Sequence, residues 1–217
     1  MPALKLLSLV QPTILVFVAV LIGLVLAPKV GLSAPVADAL AAGGPAVSAL
    51  RPQLLPGVVG AVIGAGSVLL SAAVFKPFLT AETIQRVSKF QALLPIPTRL
   101  LYGGITEEVL MRWGLMTLVV WIVWRVFQKR LTKPTNVCFI VAILFSSFVF
   151  GLGHLPVALL LLPESTAAIV LFVIIANSAF GVVAGYLYWK WGLESAIVAH
   201  MLGHVVLALA SYAGAYF

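Results

Sequence analysis

Charge is scarce in this sequence. Only 9% of its 217 residues are Asp, Glu, Lys or Arg, against 63% hydrophobic residues, where a soluble domain is about one quarter charged. A water-soluble globule is excluded, because too few polar side chains exist to cover a core. Cysteine is nearly absent too: Cys138 stands alone, which excludes a disulfide scaffold, and its apolar neighbours make it a packing residue rather than a reactive thiol. The 13 basic and 6 acidic residues give a net charge of +7. At a mean hydropathy of +1.18, that excess serves to anchor loops at anionic lipid headgroups. No basic stripe is interleaved with aromatics, so nucleic acid is not an expected partner. Long-period repeats and low-complexity tails are missing as well. What the chain does have is apolar runs, each near the roughly 20 residues needed to cross a bilayer. It reads as an all-α, polytopic membrane protein, one domain over 1–217, with the lipid bilayer as its surroundings.

About six spans are expected. The first runs from Ile14 to Ala27, extended backward through Leu6–Val10 and interrupted by Pro12. A signal peptide is the competing reading, but no small-residue cleavage site follows directly, so a retained span is expected. Pro28 to Pro56 reads as a loop with a short interfacial helix near Val36–Ala42. The second span is Gly57–Val74, with Gly57, Gly60, Gly64 and Gly66 allowing close helix approach. Between Lys76 and Arg99 the chain turns polar, and Thr80-Ala-Glu82 predicts a capped interfacial helix with Arg86 and Lys89 on its wet side. The third span is Leu100–Phe127. The fourth is Asn136–Leu162, with a break expected at Gly151-Leu-Gly-His-Leu-Pro156. The fifth is Ala167–Trp189 and the sixth Leu193–Tyr216. Trp121, Trp124, Trp189 and Trp191 are expected as interfacial anchors. Gly181 and Gly185 suit helix packing, and Asn177 an interhelical hydrogen bond, with lining of the site as its alternative role. Basic residues flank both ends of the third span, so sidedness is left open.

The ionisable residues at membrane depth are the informative ones. Asp38, Glu82 and Glu164 fall in loops and Glu194 at the start of the last span, whereas Glu107, Glu108 and all three histidines lie within spans. Each such group costs on the order of 2.5–3.5 kcal/mol to insert, and usually faces a cavity or another charge. Glu108 and Arg112 are four apart and can pair on one face. Glu107 is rotated about 100° away in an α-helix, which leaves it free for water or substrate. His200 and His204 share one face, as do Phe150 and His154. A short connection makes the third and fourth spans antiparallel neighbours, so Glu107 and His154 are expected at one depth, with His204 within reach.

The motifs Glu107-Glu108-Val-Leu-Met-Arg112 (EExxxR), Phe150-Gly-Leu-Gly-His154 (FxxxH) and His200-Met-Leu-Gly-His204 (HxxxN-like) follow one another on successive spans. In this the chain resembles the CPBP family of intramembrane proteases, which includes the Ras-converting CAAX endopeptidases and bacterial relatives linked to bacteriocin processing. The resemblance covers about Arg99–Leu207, expected as the catalytic core (99–207). It implies an endopeptidase acting without a cofactor on a membrane-anchored protein or peptide. Glu107 would be the base that activates water and His154 would help hold that water. His200 and His204 would stabilise the oxyanion, with Glu108, Arg112 and Phe150 supporting. His204 departs from the asparagine of the eukaryotic and archaeal proteases. An imidazole can still donate one hydrogen bond, but it can also ligate a metal.

A zinc site of Glu107, His154, His200 and His204 therefore remains an alternative, although Met201 stands where a zincin HExxH helix needs its glutamate. A catalytically silent scaffold or immunity protein and a proton-relaying transporter are the readings of other classes. A scaffold has no use for an unpaired Glu107, and the small size, the lack of a detectable inverted repeat and the EExxxR order weigh against a transporter. The compact chain is expected in a bacterial inner (plasma) membrane, handling a CAAX tail, a sorting signal or a leader peptide. Its oligomeric state is not set by the sequence.

Overall fold

The computed structural model describes residues 2–162 and 166–216. Among them every regular element is helical: α1 (Pro2–Val30), α2 (Pro35–Ala41), α3 (Ala46–Phe75), α4 (Ala81–Leu93), α5 (Ile96–Phe127), α6 (Asn136–Gly153), α7 (Leu155–Leu161), α8 (Ala167–Lys190) and α9 (Leu193–Tyr212). Six stretches are long and apolar enough to cross a membrane: Val10–Val30, Ala46–Phe78, Ile96–Phe127, Asn136–Leu161, Ala167–Lys190 and Leu193–Tyr212. The protein is an integral membrane helix bundle. Its large apolar side chains face outward as often as inward, as befits a chain whose solvent is lipid.

Small residues set how the spans meet. A Cβ on Gly60 would lie 2.4 Å from Leu187, and one on Gly64 would lie 2.6 Å from the Phe180 ring, so α3 can approach α8 this closely only with glycine there. Gly66, expected in the same role, faces open space instead. On α1, Ala19 packs against Gly114 of α5 and Gly23 against Trp113. A shared core of Ala27, Trp113, Met116, Phe139, Phe180 and Ala196 with their neighbours runs through the bundle. Cys138 is fully buried in it.

Several boundaries differ from those expected. The loop over 28–56 is shorter, because α3 starts at Ala46 and carries Pro52 and Pro56 inside it. Proline is tolerated inside a membrane helix, and this stretch of α3 is tied to α9 where the Gln53 carbonyl accepts from the Ser195 hydroxyl at 3.1 Å. The first span likewise runs unbroken through Pro12. The last ends at Tyr212, where Gly214 takes a left-handed conformation (φ +69°) that no helix continues. Glu164 lies outside the described residues.

Other local expectations hold. α2 forms where the interfacial helix was predicted, and Glu194 at the start of α9 accepts from its first amides, Val36 and Ala37, at 3.0 and 3.1 Å. Thr80 caps α4 by accepting from the Thr83 amide, while Glu82 and Arg86 pair at 2.8 Å on its exposed side. Of the tryptophans, Trp124 is buried and donates to the Leu131 carbonyl, and Trp189 stacks on Phe139 with ring centres 5.0 Å apart. These two tie helix ends to their neighbours.

Candidate active site

Two features of the backbone place the site. The first is in α5, where Arg99–Glu107 and Val109–Met116 are wound as π-helix, with wider turns than an α-helix. Such turns are rare and concentrate at functional sites. Each residue in them advances by less than the α-helical 100°, so Glu107 and Glu108 both reach toward α9. The second is the break between α6 and α7. His154 sits at it, followed by Pro156, which has no N–H to continue the ladder. This is the interruption expected at 151–156.

Glu108 and Arg112 are both fully buried. Their Oε2 and Nε atoms lie 3.2 Å apart, an ion contact in which the N–H is not aligned for a hydrogen bond. Arg112 Nη2 donates to the Gly181 carbonyl at 2.9 Å, and its guanidinium lies 5.2 Å from the Phe150 ring centre. Glu108 Oε1 accepts from His200 Nδ1 at 2.7 Å. Because a carboxylate can only accept, Nδ1 carries the proton and Nε2 is the ring atom turned the other way. It points toward Glu107, whose Oε2 is 3.9 Å distant. Glu107 is partly exposed and makes no direct hydrogen bond among the described residues.

The other two imidazoles flank this pair. His154 Nδ1 lies 2.9 Å from the Phe150 carbonyl, which can only accept, so Nδ1 again holds the proton and Nε2 keeps its lone pair. The Phe150 ring meets His154 edge-on at 4.7 Å and His200 at 5.9 Å. His204 stacks on His200 with ring centres 4.9 Å apart, and its Nε2 is buried without a hydrogen-bond partner. That nitrogen lies against Gly103, where a Cβ would come within 2.5 Å of it. Among the described residues, no three His, Cys, Asp or Glu side chains are gathered so as to hold a metal ion.

These groups form the polar floor of a cavity of about 430 Å³. Glu107, Phe150, His154, His200 and His204 all line it, whereas Glu108 and Arg112 lie behind. Its walls are apolar faces of α4, α7, α8 and α9. At its mouth Arg99 donates to the Gln91 and Leu94 carbonyls and so ties the end of α4 to the start of α5. Tyr216, beyond the last span, joins the same mouth, and burial raises its phenol above the ordinary value against the opposing influence of Gln91 and Arg99.

Sequence reasoning brought the chemistry-bearing residues together but missed their setting. Phe180, whose ring lies 4.6 Å from that of His200, had no signal, since a phenylalanine in an apolar run looks like any core residue. Gly103-Gly104 did carry one: paired glycines before a charged motif mark a close approach. Asn177 takes the alternative of its two expected roles. It bonds not to another helix but to the Val173 carbonyl of its own, at 2.7 Å, and it lines the cavity.

No curated protein and no solved structure matches the chain. The family model for type II CAAX prenyl endopeptidases, Rce1-like, matches residues 89–206. The match begins within α4 and ends within α9, taking in the whole floor of the cavity. With more than half of its length matched, this membrane protein belongs to the family of Rce1-like type II CAAX prenyl endopeptidases.

Proposed function

We propose that this protein hydrolyses a peptide bond of a membrane-attached substrate with water activated by Glu107. The observation that carries this reading is the division of labour between adjacent carboxylates. Glu108 is held by Arg112 and His200, whereas Glu107 faces the cavity with its Oε2 3.9 Å from His200 Nε2. That separation is too long for a direct hydrogen bond and leaves the Glu107 carboxylate free to take a water.

Hydrolysis needs a base for the proton of water and donors for the oxyanion of the tetrahedral intermediate. Glu107 accepts one hydrogen of the water and takes it as a proton. The Nε2 lone pair of His154 accepts the other hydrogen, which turns an oxygen lone pair of the water toward the substrate carbonyl. As the water oxygen bonds to the carbonyl carbon, negative charge moves to the carbonyl oxygen, where His200 and His204 supply the donors. His200 can donate from Nε2 when both ring nitrogens are protonated. Protonated Glu107 then returns its proton to the leaving amine as the C–N bond breaks.

An apolar cavity roofed by an amphipathic helix fits an apolar segment held at the membrane surface. A prenylated CAAX tail, a sorting signal and a leader peptide in a bacterial inner membrane all meet that description. The deciding experiment compares new protein termini in membranes carrying wild-type protein or Glu107→Gln. Termini present only with wild type are expected, and identical profiles would overturn the reading.

A further inference from the structure

Asn177 is a polar residue of the cavity wall for which the hydrolytic scheme has no use. It belongs to α8, where Ile169, Phe172, Val173, Ala176 and Phe180 otherwise present an apolar face to the cavity. An amide at this depth is costly unless it is used, and its own helix employs only half of it. Nδ2 donates to the Val173 carbonyl at 2.7 Å. Since that carbonyl can only accept, the assignment of the amide is fixed, and Oδ1 is the atom left over. Oδ1 makes no hydrogen bond among the described residues and is not among the sealed polar atoms. It is an unused acceptor on a residue that lines the cavity.

Its position matters as much as its chemistry. Asn177 lies three residues before Phe180, whose ring packs on His200 at 4.6 Å. Three residues of helix advance about 4.5 Å, little more than one residue of extended peptide at about 3.3 Å. A substrate whose carbonyl sits at His200 therefore has a neighbouring peptide unit level with Asn177. Within walls this apolar, the N–H of that unit has no water to bond to and needs an acceptor.

We infer that Asn177 is a substrate-binding residue, its Oδ1 accepting a hydrogen bond from a backbone N–H of the substrate within about one residue of the cleaved bond. This rests on the reading of the cavity as the peptide site. It concerns the main chain, so it asks for an extended backbone rather than a particular side chain. The bond is made equally in the bound ground state and the transition state, so its loss falls on KM and leaves kcat near its original value.

The test uses full-length protein in liposomes and an internally quenched, farnesylated peptide. A series of that peptide carries one N-methyl group in turn at each backbone N–H around the cleaved bond. With wild type, methylation at one position should raise KM about tenfold, as loss of one hydrogen bond does. Asn177→Leu should raise KM for the parent peptide by a similar factor and ignore methylation at that position. Asn177→Ala, which adds no bulk, repeats the comparison if the leucine variant is unstable. Wild-type KM in a folded Asn177 variant, or equal sensitivity of wild type and variant at every position, would overturn the assignment. Glu107→Gln is run beside it. Full cleavage by that variant would sink the glutamate mechanism while leaving an intact Asn177 result standing. A wild-type protein that leaves the parent peptide uncut overturns the reading of the cavity, and the Asn177 assignment with it.

Discussion

Glu108 Oε1 and His200 Nδ1 are 2.7 Å apart, although 92 residues separate them in the chain. This contact fastens α5 to α9 and orients the imidazole, so that the second ring nitrogen faces Glu107 rather than the core. A carboxylate fixing the tautomer of a working histidine is a recurrent device. Here the same carboxylate also neutralises Arg112, so one residue serves both the fold and the site.

Substitution of Glu107, the proposed base, tests the chemistry apart from the fold. Glu107→Gln should leave thermal unfolding in detergent close to wild type, because Glu107 carries no direct hydrogen bond. Cleavage of the quenched peptide should fall by at least about 10²-fold. Near-normal turnover in this variant would take Glu107 out of the mechanism.

Breaking the buried ion contact should do the opposite. Arg112→Ala leaves Glu108 without its cation in a fully buried position, which should cost about 3–5 kcal/mol. The pair Glu108→Gln with Arg112→Gln removes both charges and should be milder. Unchanged melting of Arg112→Ala would show that Glu108 is satisfied by His200 alone.

His204 distinguishes two ways of activating water. As an oxyanion donor it needs one N–H, which asparagine also offers. As a metal ligand it needs a lone pair that an amide supplies poorly. His204→Asn should therefore keep substantial activity, His204→Ala should lose about 10²–10³-fold, and chelator-treated protein should stay active. Stoichiometric zinc in purified protein, with a dead asparagine variant, would establish a metalloprotease instead.

Gly103 offers an independent check on where His204 points. A methyl group there would lie 2.5 Å from His204 Nε2, so Gly103→Ala should displace the ring. Activity should drop about tenfold or more while stability changes by less than about 1 kcal/mol, as alanine is the better helix former. Wild-type kinetics in Gly103→Ala would mean that this edge of the ring is not used.

Much of this was legible in the residues themselves, for identifiable reasons. The spans follow from apolar length, the α6–α7 break from glycines and Pro156 around His154, and the Glu108–Arg112 contact from i,i+4 spacing. The prolines of α3 misled, because a membrane helix tolerates proline in its interior and α3 runs on through Pro52 and Pro56. The wide turns of α5 were invisible: hydrogen-bond register leaves no mark on hydropathy. An α-helical reading still leaves Glu107 unpaired, but it misses that Glu107 and Glu108 approach the two nitrogens of one ring. Asn177 was visible as a polar residue in an apolar run, yet its partner depends on a side-chain rotamer that spacing does not set.

The same wide turns settle a matter of length. At 32 residues, α5 would measure about 48 Å as a straight α-helix, far more than the roughly 30 Å of hydrocarbon it crosses. More residues per turn means less rise per residue, so winding Arg99–Glu107 and Val109–Met116 as π-helix shortens the rod. Arg99 and Arg125, near its two ends, are thereby brought closer together along the helix axis. The length of α5 and the alignment of the two carboxylates are thus set by the same seventeen or so peptide units. A bilayer that stretched α5 toward ordinary α-helix would rotate Glu107 away from His200 at the same stroke.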